Sequence, residues 1–545
     1  MSAAQGEYDY IIVGAGSAGC VLANRLTADG RTTVLLLEAG PRDTDPWIHI
    51  PLGYGKLFKK PTVNWSYLSE PEPHLNGRQI FTPRGKVLGG SSSINGLVYT
   101  RGQPEDFDDW ETPGWSFGEL LPYFRKSEDQ AGKELGADAL HGRGGPLKVS
   151  DQNEPHELCD AFIEAAVQAG HPRNPDFNGE QQEGAGYQQL TSRNGRRCST
   201  AVGYLRPAES RANLKVETDA LVSRVLFDGG KAIGVEYLKG GEKIQAKAGR
   251  EVILSGGAIN TPQILQLSGV GPAALLKQHG IPVVLDQPNV GEHMQDHFQA
   301  RIVLKCTRPI TVNDDMQSWW RMARMGLRYA LMRKGPLAVS AGYAGGFWRT
   351  RPEMKRPDVQ THFLTFSLDR MGEQLHPFSG FTASICQLRP TSRGSVHIKS
   401  ADPRSAPAIR YNYLDTEHDR RTMIDGMRLL RGILEQPAIR PYIASEHVPG
   451  PKVQSDDEWL AYFRDTGTTI YHPTCTAMMG TGADAVVDSQ LRLKGLAGLR
   501  VVDASVMPAV VSGNTNAAVI AIAEKAADLI VAAGTEPELR GAIVT

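Results

Sequence analysis

Residues 8–40 read YDYIIVGAGSAGCVLANRLTADGRTTVLLLEAG, and this stretch decides the fold. An apolar run, Tyr10 to Val13, meets Gly14-Ala15-Gly16-Ser17-Ala18-Gly19, after which Val21, Leu22 and Leu26 fall on one side of a helical pattern. A second apolar run, Thr33 to Leu37, ends in Glu38, 19 residues beyond Gly19. Strand, tight turn, helix, strand and acid, in that order, are the parts of a Rossmann-like dinucleotide site. Gly14 permits the turn, Gly16 lets a pyrophosphate approach the backbone, and Gly19 lets helix pack on strand. The helix start at Ser17 and Ala18 offers free N–H groups and a partial positive charge. Glu38, followed by Ala39, falls where a ribose hydroxyl would be held.

Working outward, small-residue-rich strand–turn–helix units recur. One runs from Glu251-Val252-Ile253-Leu254 through Ser255-Gly256-Gly257 into Thr261-Pro262-Gln263, and another passes from Val501-Val502 through Asp503-Ala504. A compact nucleotide domain keeps such units contiguous, whereas here they lie near positions 10, 254 and 502. That spread favours a flavin dinucleotide enclosed by much of the chain over a dissociating nicotinamide. A second glycine-rich stretch, Arg84 to Gly96, contains Gly89, Gly90, Ser92 and Asn95 and is framed by Val87-Leu88 and Leu97-Val98. Backbone donors with little side-chain bulk suit it to a flat or phosphorylated ligand. Between Gly40 and Pro61 a Pro- and Gly-rich run without lasting periodicity, followed by Trp65, is expected to pack over the site.

The 545 residues predict about two to four domains, and the net charge of −1 gives no reason to expect a nucleic-acid partner. Six cysteines carry no CxxC and no metal-finger spacing, which fits free thiols in a reducing compartment and no metal site. The first ten residues show no basic n-region and no apolar h-region, so a cytoplasmic protein is expected. Ala517 to Ala533 is interrupted by Glu524, Lys525 and Asp528 and is expected to be an amphipathic helix, not a membrane span. Asp315 to Lys334 places Trp320, Ala323, Leu327 and Leu331 near helical spacing among arginines. The preferred expectation is a solvated helix packed over a substrate domain; a peripheral contact with the inner face of a membrane is the second. Alternation between Val359 and Leu388 and again at Ser395 to Lys399 predicts an antiparallel sheet. His141, in a Gly-rich loop, is expected to be structural.

With these residues in view, the chain resembles the glucose–methanol–choline (GMC) flavoprotein oxidoreductases over essentially its whole length. Gly85 to Asn95, continued by Tyr99, Gly102 and Asp108, looks like the family's first signature, and Gly257 to Gly271 like its second. The resemblance is strongest to choline-dehydrogenase-like and aliphatic alcohol dehydrogenases. It implies an α/β FAD-binding domain, discontinuous over residues 1–150, 215–300 and 465–540. The substrate domain, over 151–214 and 301–464, would be built on a six-stranded antiparallel sheet flanked by helices. It adds Val222, Ser255, Gly256, Asp503, Ala504, Thr515 and Asn516 to the expected FAD contacts. His472, in His472-Pro473, is implied as the base and Asn514 as the amide that donates to the alcohol oxygen.

Members that attach FAD through histidine carry it just before the Asn of the first signature. This chain has Ile94 there, so the flavin is expected to be non-covalent. The implied activity is oxidation of a primary alcohol with electrons passed to a quinone or other acceptor. Alternatives from the same family are an oxygen-using alcohol oxidase, a hydroxynitrile lyase and a fatty-acid photodecarboxylase.

Overall fold

The apolar run that opens the chain forms the strand Ala3–Val13, and its neighbours in space come from far along the sequence. In this computed structural model, which describes residues 3–131, 139–152, 154–340 and 342–535, the strand lies between Val34–Leu37 on one side and Glu242–Leu254 on the other, parallel to both. Some residues of both ranges assigned above lie outside the described residues. Leu214–Glu217 continues the parallel set beyond Val34–Leu37. Leu499–Val501 pairs in parallel with the end of Glu242–Leu254, whose first half carries the antiparallel strands Lys231–Lys239 and Leu221–Asp228. Val34 to Leu37 are buried on both faces, as parallel strands covered by helices must be. The carboxyl ends at Val13, Leu37, Glu217, Leu254 and Val501 all reach the same edge, which is where α/β sheets bind ligands.

The helix Ser17–Leu26 covers this sheet beside Asn516–Thr535. The latter is a helix as expected, but more deeply set than its charges imply: residues from Ala517 to Ala527 are buried, and exposure begins at Asp528. Its charge is absorbed inside, since Glu524 pairs with Arg25 at 2.6 Å and accepts from the Tyr204 hydroxyl at 2.9 Å. No helix among the described residues is long and apolar enough to cross a membrane.

The second sheet is antiparallel and follows the path Ile443–Val448, Phe298–Cys306, Gly380–Gln387, Val359–Leu364, Ala344–Trp348, Gly184–Tyr187. Six strands therefore form the path, and the two-residue strand Thr468–Thr469 adds a seventh at the end of Phe298–Cys306. Ser395–His397 pairs only with Ala408–Arg410, so it stands outside this sheet, contrary to expectation. One face, with Phe298, Ala300, Ile302, Phe363 and Ile385, packs in a core with Met423, Met427 and Leu430 of the helix Glu417–Leu434. The period of two turns the alternate residues to the other face.

The basic stretch at 315–334 is two helices, Val312–Gln317 and Trp319–Met332, broken at Ser318, whose extended backbone and hydroxyl cap the second. The second helix is solvated, as expected, but the four residues at helical spacing are not the ones that pack. Only Met325 and Tyr329 of Trp319–Met332 are buried, while Trp319, Trp320 and Leu331 are 72%, 69% and 75% exposed. The six cysteines are free thiols.

Candidate active site

The carboxyl edge of the first sheet and the polar face of the second enclose one cavity. At its dinucleotide end the turn residues behave as their chemistry requires. Gly14 has φ +99, and a Cβ there would lie 2.5 Å from the Ser255 carbonyl oxygen; a Cβ on Gly19 would lie 1.9 Å from the Gly14 oxygen. Gly16 differs, because its nearest protein atoms would be 3.9 Å or more from a Cβ. The space a side chain would fill there belongs to the cavity, which Gly14, Gly16, Ser17 and Ala18 line. Gly16 caps the helix Ser17–Leu26 without any side-chain hydrogen bond, leaving the first-turn N–H groups for a ligand. The Ser17 hydroxyl donates to Asn516 Oδ1 at 2.7 Å, so the starts of the first and last helices face the cavity together.

Glu38 stands at the end of its strand, with one carboxylate oxygen accepting from Ala15 N–H at 3.0 Å and the other from Gly40 N–H at 2.9 Å. Burial pushes its pKa up to about 7, against those two hydrogen bonds. Each oxygen keeps a lone pair for a hydroxyl donor. The Ser255 hydroxyl, also on the wall, has no partner in the protein. Bare glycine backbone, a helix start capped by no side chain, a buried acid and an unpaired hydroxyl fit a flavin dinucleotide.

Of the residues singled out in the sequence, Ala39, Trp65, Arg84, Gly90, Asn95, Gly96, Leu97, Val98, Val222, Gly256, Asp503, Ala504, Asn514, Thr515 and His472 also line the cavity. Gly19, Gly89 and Ser92 do not. Gly89 has φ +87 and donates its N–H to the Ala15 carbonyl at 2.7 Å, and Ser92 donates to the Gly89 carbonyl at 2.6 Å. They buttress the wall from behind. Several lining residues are tied up within the protein. Arg84 donates to Ser91 Oγ and to the Tyr471 carbonyl, Asn95 Oδ1 accepts from Arg197 at 2.6 Å, and Asp503 accepts from Gly257 N–H and the Thr261 hydroxyl. The excursion after Gly40 contributes Tyr54 and Phe58, and Ile94, buried, presents only an aliphatic side chain. His141 lies elsewhere, between Glu128 and Asp176 at 3.1 and 2.9 Å.

At the other end, His472 and Asn514 come together: Asn514 Nδ2 is 3.2 Å from His472 Nε2. Sequence reading missed what orients them. His297 Nε2 is 3.0 Å from the Leu388 carbonyl, which can only accept, so this nitrogen carries the proton. Burial presses the His297 pKa down to about 4, so the ring is neutral and its Nδ1 is an acceptor. His472 Nδ1, 2.9 Å away, must then be the donor. The lone pair of His472 is thereby fixed on Nε2, facing Asn514 and the cavity. Burial first, then the neighbouring His297 and His362, hold the His472 pKa well below 6.5. The backbone beneath is pinned as well, the His472 N–H donating to the buried Asp296 at 2.6 Å. His297 immediately precedes the strand Phe298–Cys306, and nothing in the sequence there distinguishes it from a core histidine.

A substrate-facing wall, the enclosed dinucleotide site and a fixed imidazole lone pair define a flavin-dependent oxidoreductase. The chain belongs to the GMC oxidoreductase family, whose models match residues 8–299 and 390–523. It is 47% identical to the oxygen-dependent choline dehydrogenase of Pseudomonas putida, over 96% of this chain and 94% of that one. It is 46% identical to the mitochondrial choline dehydrogenase of Homo sapiens, over 97% and 90%. Among solved structures, pyridoxine 4-oxidase from Mesorbium loti aligns with TM-score 0.87 at 31% identity, covering 96% of this chain and 98% of that one. The formate oxidase of Aspergillus oryzae aligns with TM-score 0.91 at 26% identity, covering 98% and 99%. The activity is thus an alcohol-type oxidation by a flavoenzyme.

Proposed function

We propose that the protein oxidises a primary alcohol to its aldehyde, that His472 Nε2 takes the hydroxyl proton, and that FAD is held without a covalent bond. The observation that carries this reading is the fixed lone pair: the Leu388 carbonyl sets the His297 tautomer, His297 sets that of His472, and Nε2 is left basic beside the Asn514 amide. An alcohol entering between them donates its hydroxyl to Nε2 and accepts from Asn514 Nδ2. As the proton leaves, the neutral amide stabilises the oxygen without itself needing to ionise. Bound along the glycine-rich wall, FAD supplies the hydride acceptor. Gly14, Gly16 and the first turn after Ser17 would hold its pyrophosphate, Glu38 its ribose, and the helix start at Thr515 and Asn516 its ring. Residues 1–150, 215–300 and 465–540 form the cofactor part in this reading, and 151–214 with 301–464 the substrate part.

Ile94 offers no nucleophile, so acid precipitation should release intact FAD into the supernatant; flavin left on the polypeptide contradicts the non-covalent assignment. Anaerobic mixing with primary alcohols should bleach the flavin, which neither a lyase nor a photodecarboxylase working in the dark would produce. The acceptor we propose is a quinone or other carrier. Peroxide formed in air at the rate of turnover would instead make oxygen the acceptor, as the name of the P. putida relative suggests for that protein.

The helix Trp319–Met332 favours a second element of function. Its exposed Trp319, Trp320, Leu327 and Leu331 lie beside Arg321 and Arg324, a combination suited to an anionic bilayer surface. We propose peripheral contact there. Co-sedimentation with anionic vesicles should be lost when Trp319 and Trp320 are both changed to Ser, and equal sedimentation of the two forms overturns it.

A further inference from the structure

The polar face of the antiparallel sheet carries a row that proton abstraction does not use. Phe298, Ala300 and Ile302 point into the core, so alternation turns Gln299 and Arg301 to the cavity, which both line. The ladder sets Arg301 opposite Ser384, and Ser384 opposite His362. A guanidinium, a hydroxyl and an imidazole thus stand on three adjacent strands, about 10 Å from first backbone to last at two strand spacings.

This row is short of partners. Among the described residues no carboxylate pairs with Arg301, and its guanidinium makes no hydrogen bond to another side chain. Other cations of the wall are satisfied: Arg84 by Ser91 and the Tyr471 carbonyl, for example. The carboxylates are spoken for too. Glu38 and Asp503 belong to the dinucleotide end, and Asp296 accepts from Tyr413, Thr469 and the His472 N–H. His362, only 6% exposed, has no partner within 3.5 Å on either ring nitrogen, and the side chain it interacts with is the Asn514 amide. A buried imidazole left that way is costly until something polar enters.

The sign of the charge decides what enters. Tyr54 and Tyr471, the rings that could cage a quaternary ammonium, both lie within the field of the Arg301 charge. A cationic substrate would meet like charge, and the one anion whose field also reaches Tyr471, Asp296, is already held by Tyr413, Thr469 and the His472 N–H. One guanidinium matches one planar, singly charged carboxylate, with two parallel N–H donors.

Resting on the alcohol-oxidation reading, we propose that Arg301 is a substrate-binding residue for an oxyanion, so that the preferred alcohol is a hydroxycarboxylate whose carboxylate sits on Arg301 while His362 hydrogen-bonds a substrate oxygen nearer the carbinol. This differs from choline, the cation for which the relatives above are named.

The test uses the FAD-loaded enzyme, mixed anaerobically with alcohols of three kinds, anionic, neutral and cationic: 4-hydroxybutanoate and its longer ω-hydroxy homologues, 3,3-dimethylbutan-1-ol, and choline. The rate of flavin reduction divided by the dissociation constant should be highest for one of the hydroxy acids and lowest for choline. Arg301→Met should cost that acid roughly ten- to a hundredfold, the range of a charge-assisted hydrogen bond, almost wholly in the dissociation constant. Neutral alcohol should change less than about threefold, which also reports that the variant is folded and loaded. Arg301→Lys, keeping charge without the fork, should fall between. Choline outpacing the neutral alcohol, or an unchanged hydroxy acid in Arg301→Met, overturns the proposal while leaving alcohol oxidation standing. Failure of all three alcohols to reduce the flavin overturns both.

Discussion

At the scale of single residues, the account turns on one lone pair. His472→Ala should retain FAD yet reduce it with alcohol roughly a hundred- to ten-thousandfold more slowly, the usual worth of a positioned acid–base group. Asn514→Ala should be milder, since it removes a neutral donor and no proton acceptor. The pH dependence follows from burial. An unperturbed imidazole would titrate between about pH 6 and 8 and protonate the base there. Here the pKa is held well below 6.5, and the active form is the unprotonated one. Reduction should therefore stay flat as pH falls through 6.5 and drop only below it. His297→Gln, which removes a nearby imidazole that lowers this pKa, should move the drop to higher pH as well as slow the reaction; an unmoved inflection contradicts the relay. His472 and Asn514 were legible through the family resemblance, since each stands in a segment that matches the family's pattern. His297 and His362 were not: His362 lies on an alternating strand, where a histidine looks like core until the register shows which face it takes, and His297 stands just before another.

At the scale of elements, the glycines separate folding from binding. Gly19→Ala would drive a Cβ to 1.9 Å from the Gly14 oxygen and should prevent the first helix from docking, giving little folded protein. Gly16 has ordinary extended backbone and open space beside it, so Gly16→Ala should fold with near-normal thermal stability yet lose FAD. Equal damage from the two would contradict the assignment of that space to the cofactor. The GxGxxG unit and the strands after it could be read from the sequence because turn chemistry and apolar runs are local. The two-residue strand Thr468–Thr469 and the burial of residues 517–527 depend on packing partners far along the chain, while the break at Ser318 turns on a single serine that caps the next helix. A charged residue such as Glu524 looks exposed until Arg25 and Tyr204 close around it.

At the scale of the molecule, two sheets assembled from scattered segments meet with their ligand-facing sides toward one cavity, and neither supplies the reaction alone. The first sheet brings the dinucleotide wall and the second brings His362, Arg301 and, through its strand Phe298–Cys306, the chain beside His297. Glu38→Ala tests the cofactor half. Losing a hydrogen bond from a charged group should weaken FAD retention by roughly 1.5 to 3 kcal/mol, measured by equilibrium dialysis of the released flavin. Unchanged retention removes Glu38 from the ribose role. The two halves meet in the rate at which a primary alcohol reduces the bound flavin without oxygen. Rapid mixing of wild type and His472→Ala with the same alcohol, followed by loss of oxidised-flavin absorbance, measures that step directly. The account predicts fast bleaching in wild type and a rate lower by at least about a hundredfold in the variant, with FAD bound to both. Near-equal rates would contradict it.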